Sequence, residues 1–300
     1  MTRSSLLAFL SLGGVLGCVS AAGNSPSSLP VPETSSEPTV TPINDKATNR
    51  VWNLAPTGQS QAYRSVIKTT IKERNTQENR KSDVTTTTDY SLKLLRSSMA
   101  VEILGTVTTF EVETDQTDQS PSNLPFALPL VFEGNIADHN IALHPSGSNQ
   151  STSLTPCSDS MQTVLSMINR DLIVVPQRMS TNQSWQDSTL STICSGALPL
   201  VVAMVRTYKI AGETIVDGTA ALKLERTEKL LTSGQGSQGQ HQISLNGAGT
   251  GKALVYIDRE TGLLLSLTAA NQSELSIRSS GRIQNFTQTS QEIVVKKAPW

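Results

Sequence analysis

The chain has 300 residues, a formal net charge of −1 and only 4% aromatic side chains. A near-neutral balance excludes binding to nucleic acid or anionic lipid through bulk charge. No apolar run approaches the about 20 residues of a membrane-spanning helix, and so few aromatics leave the core to Leu, Val, Ile and Ala.

The first element in chain order is a leader. Arg3 is the only charge before Cys18, and Leu6 to Leu12 form a short apolar run broken by Gly13 and Gly14. A basic start, an apolar stretch and a small-residue end predict a secretory signal over 1–17. Two cleavage points fit. One lies after Ala22, with small Ser20 and Ala22 at the specificity positions. The other lies at Val15-Leu16-Gly17-Cys18, which resembles the lipobox of bacterial lipoproteins. That resemblance implies a diacylglyceryl group on the sulfur of Cys18, the new amino terminus, and so a membrane partner through a lipid anchor. Val19 in place of Asp implies, on the same resemblance, the outer membrane of a Gram-negative envelope; in a Gram-positive cell the same anchor implies the outside of the plasma membrane.

Cysteine arithmetic follows. Of three cysteines, Cys18 is removed or lipidated, which leaves Cys157 and Cys194 as an even pair in an oxidising setting. They are expected to form a disulfide. A loop of roughly 40 residues would then contribute about 4 kcal/mol in the chain-entropy model.

Residues 18–50 are dominated by Pro, Ser and Thr and predict a disordered tether, reaching roughly 30 Å as a coil. Residues 51–300 predict a single β-rich domain. Tyr63–Lys72, Asp83–Arg96 and Met99–Thr114 carry strand signals. In the last, Val101, Ile103, Val107 and Thr109 alternate with Glu102, Thr106 and Thr108, the period of a sheet with one wet face. Thr155-Pro156, then Met161, Val164, Leu165 and Ile168, predict one helix over about 156–170, with Thr155 as cap.

Further on, Val201–Ile210 leads through Asp217-Gly218 into Thr219–Thr227, a hairpin signal. Lys252–Asp258 and Gly262–Thr268 flank Arg259-Glu260-Thr261 as a second hairpin, with Gly262 free to take positive φ. Glu274–Arg278, Gly281–Thr289 and Glu292–Lys296 complete the strands. The regions 60–115 and 200–297 look like two similar meanders. Together these predict a mainly β fold: a strongly curved antiparallel sheet, a half-barrel or open barrel, with the helix covering one face.

Candidate chemistry is sparse. Asp138, His139 and His144 lie in a polar stretch without metal-site spacing and read as a surface loop; His241 has no evident partner. Gly234–Gly239 matches GxGxxG but lacks a following helix, so it reads as a flexible hairpin loop. Gly247–Lys252 imitates a phosphate loop but reads as a turn before Lys252–Asp258. Glu102, Glu111, Glu113, Glu225 and Glu228 read as solvated. Trp185, between the helix and Cys194, reads as rim or core packing; the sharper reading is a ligand platform. No metal, cofactor or catalytic set is expected.

The layout of "VLGC", a Pro/Ser tether, "SW" after a helix and "YIDRETGLLLSL" is similar to uncharacterised bacterial envelope lipoproteins. The last hairpin also resembles those of half-barrel carriers and sensors of the LolA/LolB type. The resemblance implies a curved antiparallel sheet around a helix and carries no catalytic residues over. The anchor and the lack of a catalytic set lead to the expectation of a non-enzymatic protein whose concave sheet binds an apolar or amphipathic ligand or a partner protein. A hydrolase using carboxylates in the same cleft, or a purely structural envelope protein, are the alternatives.

Overall fold

The computed structural model describes residues 38–42, 50–55, 58–74, 81–96, 101–115, 127–137, 140–147, 160–181, 183–195, 198–238 and 241–297. Expectations for the leader, Cys18, Asp138, His139 and Cys157 lie outside the described residues, as does the side chain of Cys194.

In chain order the strands are β1 (Val40–Pro42), β2 (Val51–Asn53), β3 (Ser60–Glu73), β4 (Lys81–Arg96), β5 (Val101–Thr114), β6 (Leu130–Ala137) and β7 (Asn140–Pro145). One helix follows, α1 (Ser160–Asp171). Then come β8 (Arg178–Ser180), β9 (Ser184–Ser195), β10 (Leu198–Val216), β11 (Thr219–Gln238), β12 (His241–Asp258), β13 (Leu264–Ser279) and β14 (Arg282–Lys296).

Twelve strands form one antiparallel sheet in the order β1-β10-β11-β12-β13-β14-β3-β4-β5-β6-β7, and β9 also pairs with β10. The small β2–β8 pair stands apart. The two expected meanders are therefore one surface. The last strand joins them, because β14 pairs with β3 from Lys296↔Tyr63 to Phe286↔Glu73. The sheet is open, and α1 packs against both β7 and β9, its two ends. Val164, Leu165 and Ile168 put the apolar face of α1 into the largest core cluster. The expected mainly β, open curved sheet with one helix is what forms.

Alternation makes the strands two-faced. Along β10, Leu198, Leu200, Val202, Met204, Arg206, Tyr208 and Ile210 point inward, and the residues between them point outward. Asp217 and Gly218 take positive φ of 47° and 80°, so Val216↔Thr219 closes the predicted primed hairpin turn. Gly262 takes φ +73°, and the Asp258 carboxylate accepts the N–H groups of Glu260 and Thr261, fixing the second turn.

Several expectations are corrected. Residues 40–42, read as tether, form β1 on the end of β10. Asp217 and Thr39 clip them there: each backbone N–H is bonded to the other residue, at 3.1 and 3.2 Å. The stretch that includes His144 is a β6–β7 hairpin rather than a loop. Glycines 234 and 236 lie inside β11, and Gly247–Lys252 lies inside a continuous β12. A Cβ at Gly234, Gly247 or Gly251 would overlap Leu200, Leu275 or Asn271. These glycines let inward side chains of the neighbouring strand lie over the backbone. Alternation in β5 also breaks. A bulge opposite Asp89/Tyr90 moves Phe110 inward and leaves Thr109 off the inward phase.

Candidate functional site

The inward face is layered. One apolar layer surrounds α1 and includes Tyr63, Ile103, Phe132, Leu222, Val255 and Leu267. A second closes the opposite end with Ile71, Leu200, Leu245, Ile277 and Phe286. Between them run two polar register rows, Tyr208–Arg226–Ala253–Ala269–Glu292 and Arg206–Glu228–Gly251–Asn271–Ser290. The C-terminal turn of α1 reaches into this belt.

Its centre is Arg206, 0% exposed, whose guanidinium grips Asp187 on β9 through two bonds of 2.6 and 2.8 Å. A third N–H of Arg206 donates to the backbone carbonyl of Arg170 at 2.9 Å, tying the helix end to the sheet. The hydroxyl of Tyr208 also donates to Asp187, at 3.1 Å. Arg226 and Glu228 stand 2.5 Å apart, and Arg170 lies 3.4 Å from Glu292. Burial lowers Arg226, but Glu228, Tyr208 and Glu292 together outweigh it and hold the guanidinium above its ordinary value. Glu228 was expected on the surface; it is 2% exposed.

Asp171 and Glu292 form a carboxyl pair. Burial and the Glu292 charge push Asp171 well above the usual carboxylate range. Burial alone would raise Glu292 too, but Arg170, Arg226, Arg206 and the hydrogen bond with Asp171 hold it below its ordinary value. Asp171 is thus the member of the pair whose environment favours the proton, and Tyr90 donates to its Oδ2 at 2.9 Å. With that proton the three arginines balance Asp187, Glu228 and Glu292.

Trp185 belongs to the same interior. Its ring stacks on Tyr208 at 5.1 Å and 9°, and its indole N–H donates to the carbonyl of Val174 at 3.0 Å. At 9% exposure it is core, not an open platform. Trp52 is likewise tied down. Its N–H and the Arg50 and Arg259 guanidiniums converge on Glu213. Burial raises Glu213, but the two arginines outweigh it and keep it ionised. His144 lies 3.5 Å from Glu133, and His241 bonds Ser280 at 2.6 Å. Among the described residues no group of three or more His, Cys, Asp or Glu could hold a metal.

The outward face carries the open feature. A depression of about 1100 Å³ crosses eight strands from β9 to β4. It lies between two register rows, Thr207–Thr227–Lys252–Ala270–Gln291–Lys68 and Val205–Lys229–Thr250–Gln272–Thr289–Thr70. Its floor is the backbone of the intervening row, whose side chains build the belt on the other side. At the β4 end Asp83 is held by Lys81 and by the Thr70 hydroxyl, and these contacts keep its carboxyl below the usual range. Among the described residues no carboxylate lies within ion-pair distance of Lys68, Lys229 or Lys252. These rows are polar at mid-strand, where a lipid-facing barrel wall is apolar.

The belt and the trough were not singled out in the sequence. The signal was phase. Arg206 shares the phase of Val202, Met204 and Tyr208, Glu228 that of Leu222 and Leu224, and Glu292 that of Phe286 and Val294.

Fold and site together define an open antiparallel sheet wrapped on one helix, with a sealed ionic layer inside and a polar trough outside. No protein-family model matches the chain. No curated protein matches it either. Among solved structures, OpdQ of Pseudomonas aeruginosa aligns with 81% of this chain and 100% of that one, at 7% identity and a TM-score of 0.23. A likeness that low carries no argument.

Proposed function

We propose that the chain is a bacterial envelope lipoprotein, anchored through Cys18, that binds a ligand or partner on its outward sheet face and does no catalysis. The leader and Val15-Leu16-Gly17-Cys18 support the anchor. The trough between the two cross-strand rows is the observation that supports binding. It moves the binding surface away from the inward side, which α1, two apolar layers and the belt fill. Asp171 and Glu292, the carboxyls that approach each other, are 3% and 1% exposed and take no part in lining the trough, which supports a non-enzymatic role.

Two measurements test this reading. Metabolic labelling with a fatty-acid probe should mark the wild type and not Cys18→Ala; equal labelling removes the anchor. For the binding face, Thr250→Cys in the trough should be alkylated more slowly in intact cells than in purified protein. Ile283→Cys, outward but away from the trough and 53% exposed, should react alike in both. Equal rates at Thr250→Cys in cells and in solution would leave the trough without an occupant.

A further inference from the structure

We infer that the trough is a binding site for a linear, negatively charged polysaccharide; this rests on the reading of the outward face as the binding surface. Three observations converge. The first is shape. Eight strands spaced about 4.8 Å apart give a channel on the order of 30 Å long, open along its length. An extended polymer fits such a channel better than a compact metabolite, which binds in an enclosed, mostly apolar pocket.

The second is charge. Lys229 and Lys252 sit diagonally on neighbouring strands, and Lys68 lies three strands from Lys252, about 14 Å away. Among the described residues none has a carboxylate partner, and the one acid there whose side chain faces the trough, Asp83, is already paired with Lys81. Glu228 contributes only to the floor, since its carboxylate is turned inward beside Arg226. The trough thus holds excess positive charge on a chain whose total is −1.

The third is the chemistry between the lysines. Gln272, Gln291, Thr250 and Thr289 offer amides and hydroxyls, which donate to and accept from sugar hydroxyls. Ala270 and the backbone of Gly251 keep the floor low there. Among the described residues no aromatic side chain lines the trough, so there it lacks the stacking platforms by which single-stranded nucleic acid is held. A lipid surface is flat and would meet the rims rather than the floor.

The probe is polygalacturonate, with its fully methyl-esterified form as the neutral twin of the same backbone. The purified full chain should bind the acid form, bind it more weakly as salt rises, and bind the ester far less. Lys68→Gln, Lys229→Gln and Lys252→Gln together should lower affinity on the order of tenfold, as expected for three exposed ion pairs. Far-ultraviolet circular dichroism and thermal midpoint should stay unchanged, because all three side chains point outward. Binding the ester as well as the acid, no binding at low salt, or a triple variant that binds like wild type would each overturn the inference. So would preference for a single-stranded oligonucleotide or anionic vesicles over polygalacturonate. If Thr250→Cys is protected in cells while the acidic polymer fails to bind, the outward-face reading stands and the ligand class falls.

Discussion

Each face of this sheet carries a local exception to the usual assignment of polarity. Inside, Arg206, Asp187, Arg226, Glu228, Asp171 and Glu292 are all buried. Outside, Leu190 and Leu231 are 73% and 63% exposed, both paired in register with Ala203. At these positions depth follows pleat and partner, while hydrophobicity sets it for the two apolar layers. A charge on the inward phase is tolerated because the next strand or the helix end supplies its counter-charge. A leucine on the outward phase stays exposed because no described residue packs over it.

The largest break in the comparison should come from Asp187→Ala. It leaves the Arg206 guanidinium buried without its bidentate partner, and a cost of about 3–5 kcal/mol is expected in denaturant unfolding. A loss under about 1 kcal/mol would mean that solvent already reaches the belt.

Gly251→Ala and Thr250→Ala make a finer test, because the two positions are neighbours on opposite faces. A methyl at 251 overlaps the Asn271 amide and comes within 3.0 Å of Glu228, so about 1–3 kcal/mol should be lost. At 250 the change should stay within about 0.5 kcal/mol. Equal costs would contradict the assignment of faces.

The Asp171–Glu292 pair gives a pH signature. Asp171 is raised in the folded state, so its share of stability is complete below the unfolded value of about 3.9. That share fades as pH rises toward the raised value. Glu292 acts the other way: it is lowered when folded, so its share is lost as pH falls through that lowered value. Stability should therefore decline as pH climbs from about 4 toward the raised value of Asp171, with Glu292, Arg170, Arg206 and Arg226 facing the same space. Asp171→Asn can still donate to Glu292 and accept from Tyr90, and should flatten that decline. An unchanged slope would assign the pH dependence elsewhere.

The smallest effect belongs to Leu231→Ser. At 63% exposure it should change stability by no more than about 0.5 kcal/mol, measured by thermal unfolding. A larger loss would show that the outward leucine is covered by something in solution.

Much of the fold was legible. The Asp217-Gly218 and Asp258–Gly262 turns were readable because backbone torsion depends on the residues at the turn itself. The α1 stripe of Val164, Leu165 and Ile168 was readable for the same local reason. Continuous β12, β13 and β14 were not. Their Gly, Gln, Asn and Ser positions have low strand propensity and are held extended by ladders on both sides. Glu228 read as solvated because a single strand places Arg226 on its face but does not reveal that this face becomes the interior.

Alternation, turn chemistry, one amphipathic helix and the phase of each charge are written in the order of the residues. Those depend on neighbours within a few bonds. Which phase became interior, the pairing of β14 with β3 and the meeting of Asp171 with Glu292 depended on the folded chain as a whole. Each of these needs groups distant in the chain to come within hydrogen-bonding distance. The trough arises in the same way, since its lysines come from β3, β11 and β12 and meet only when the register aligns them.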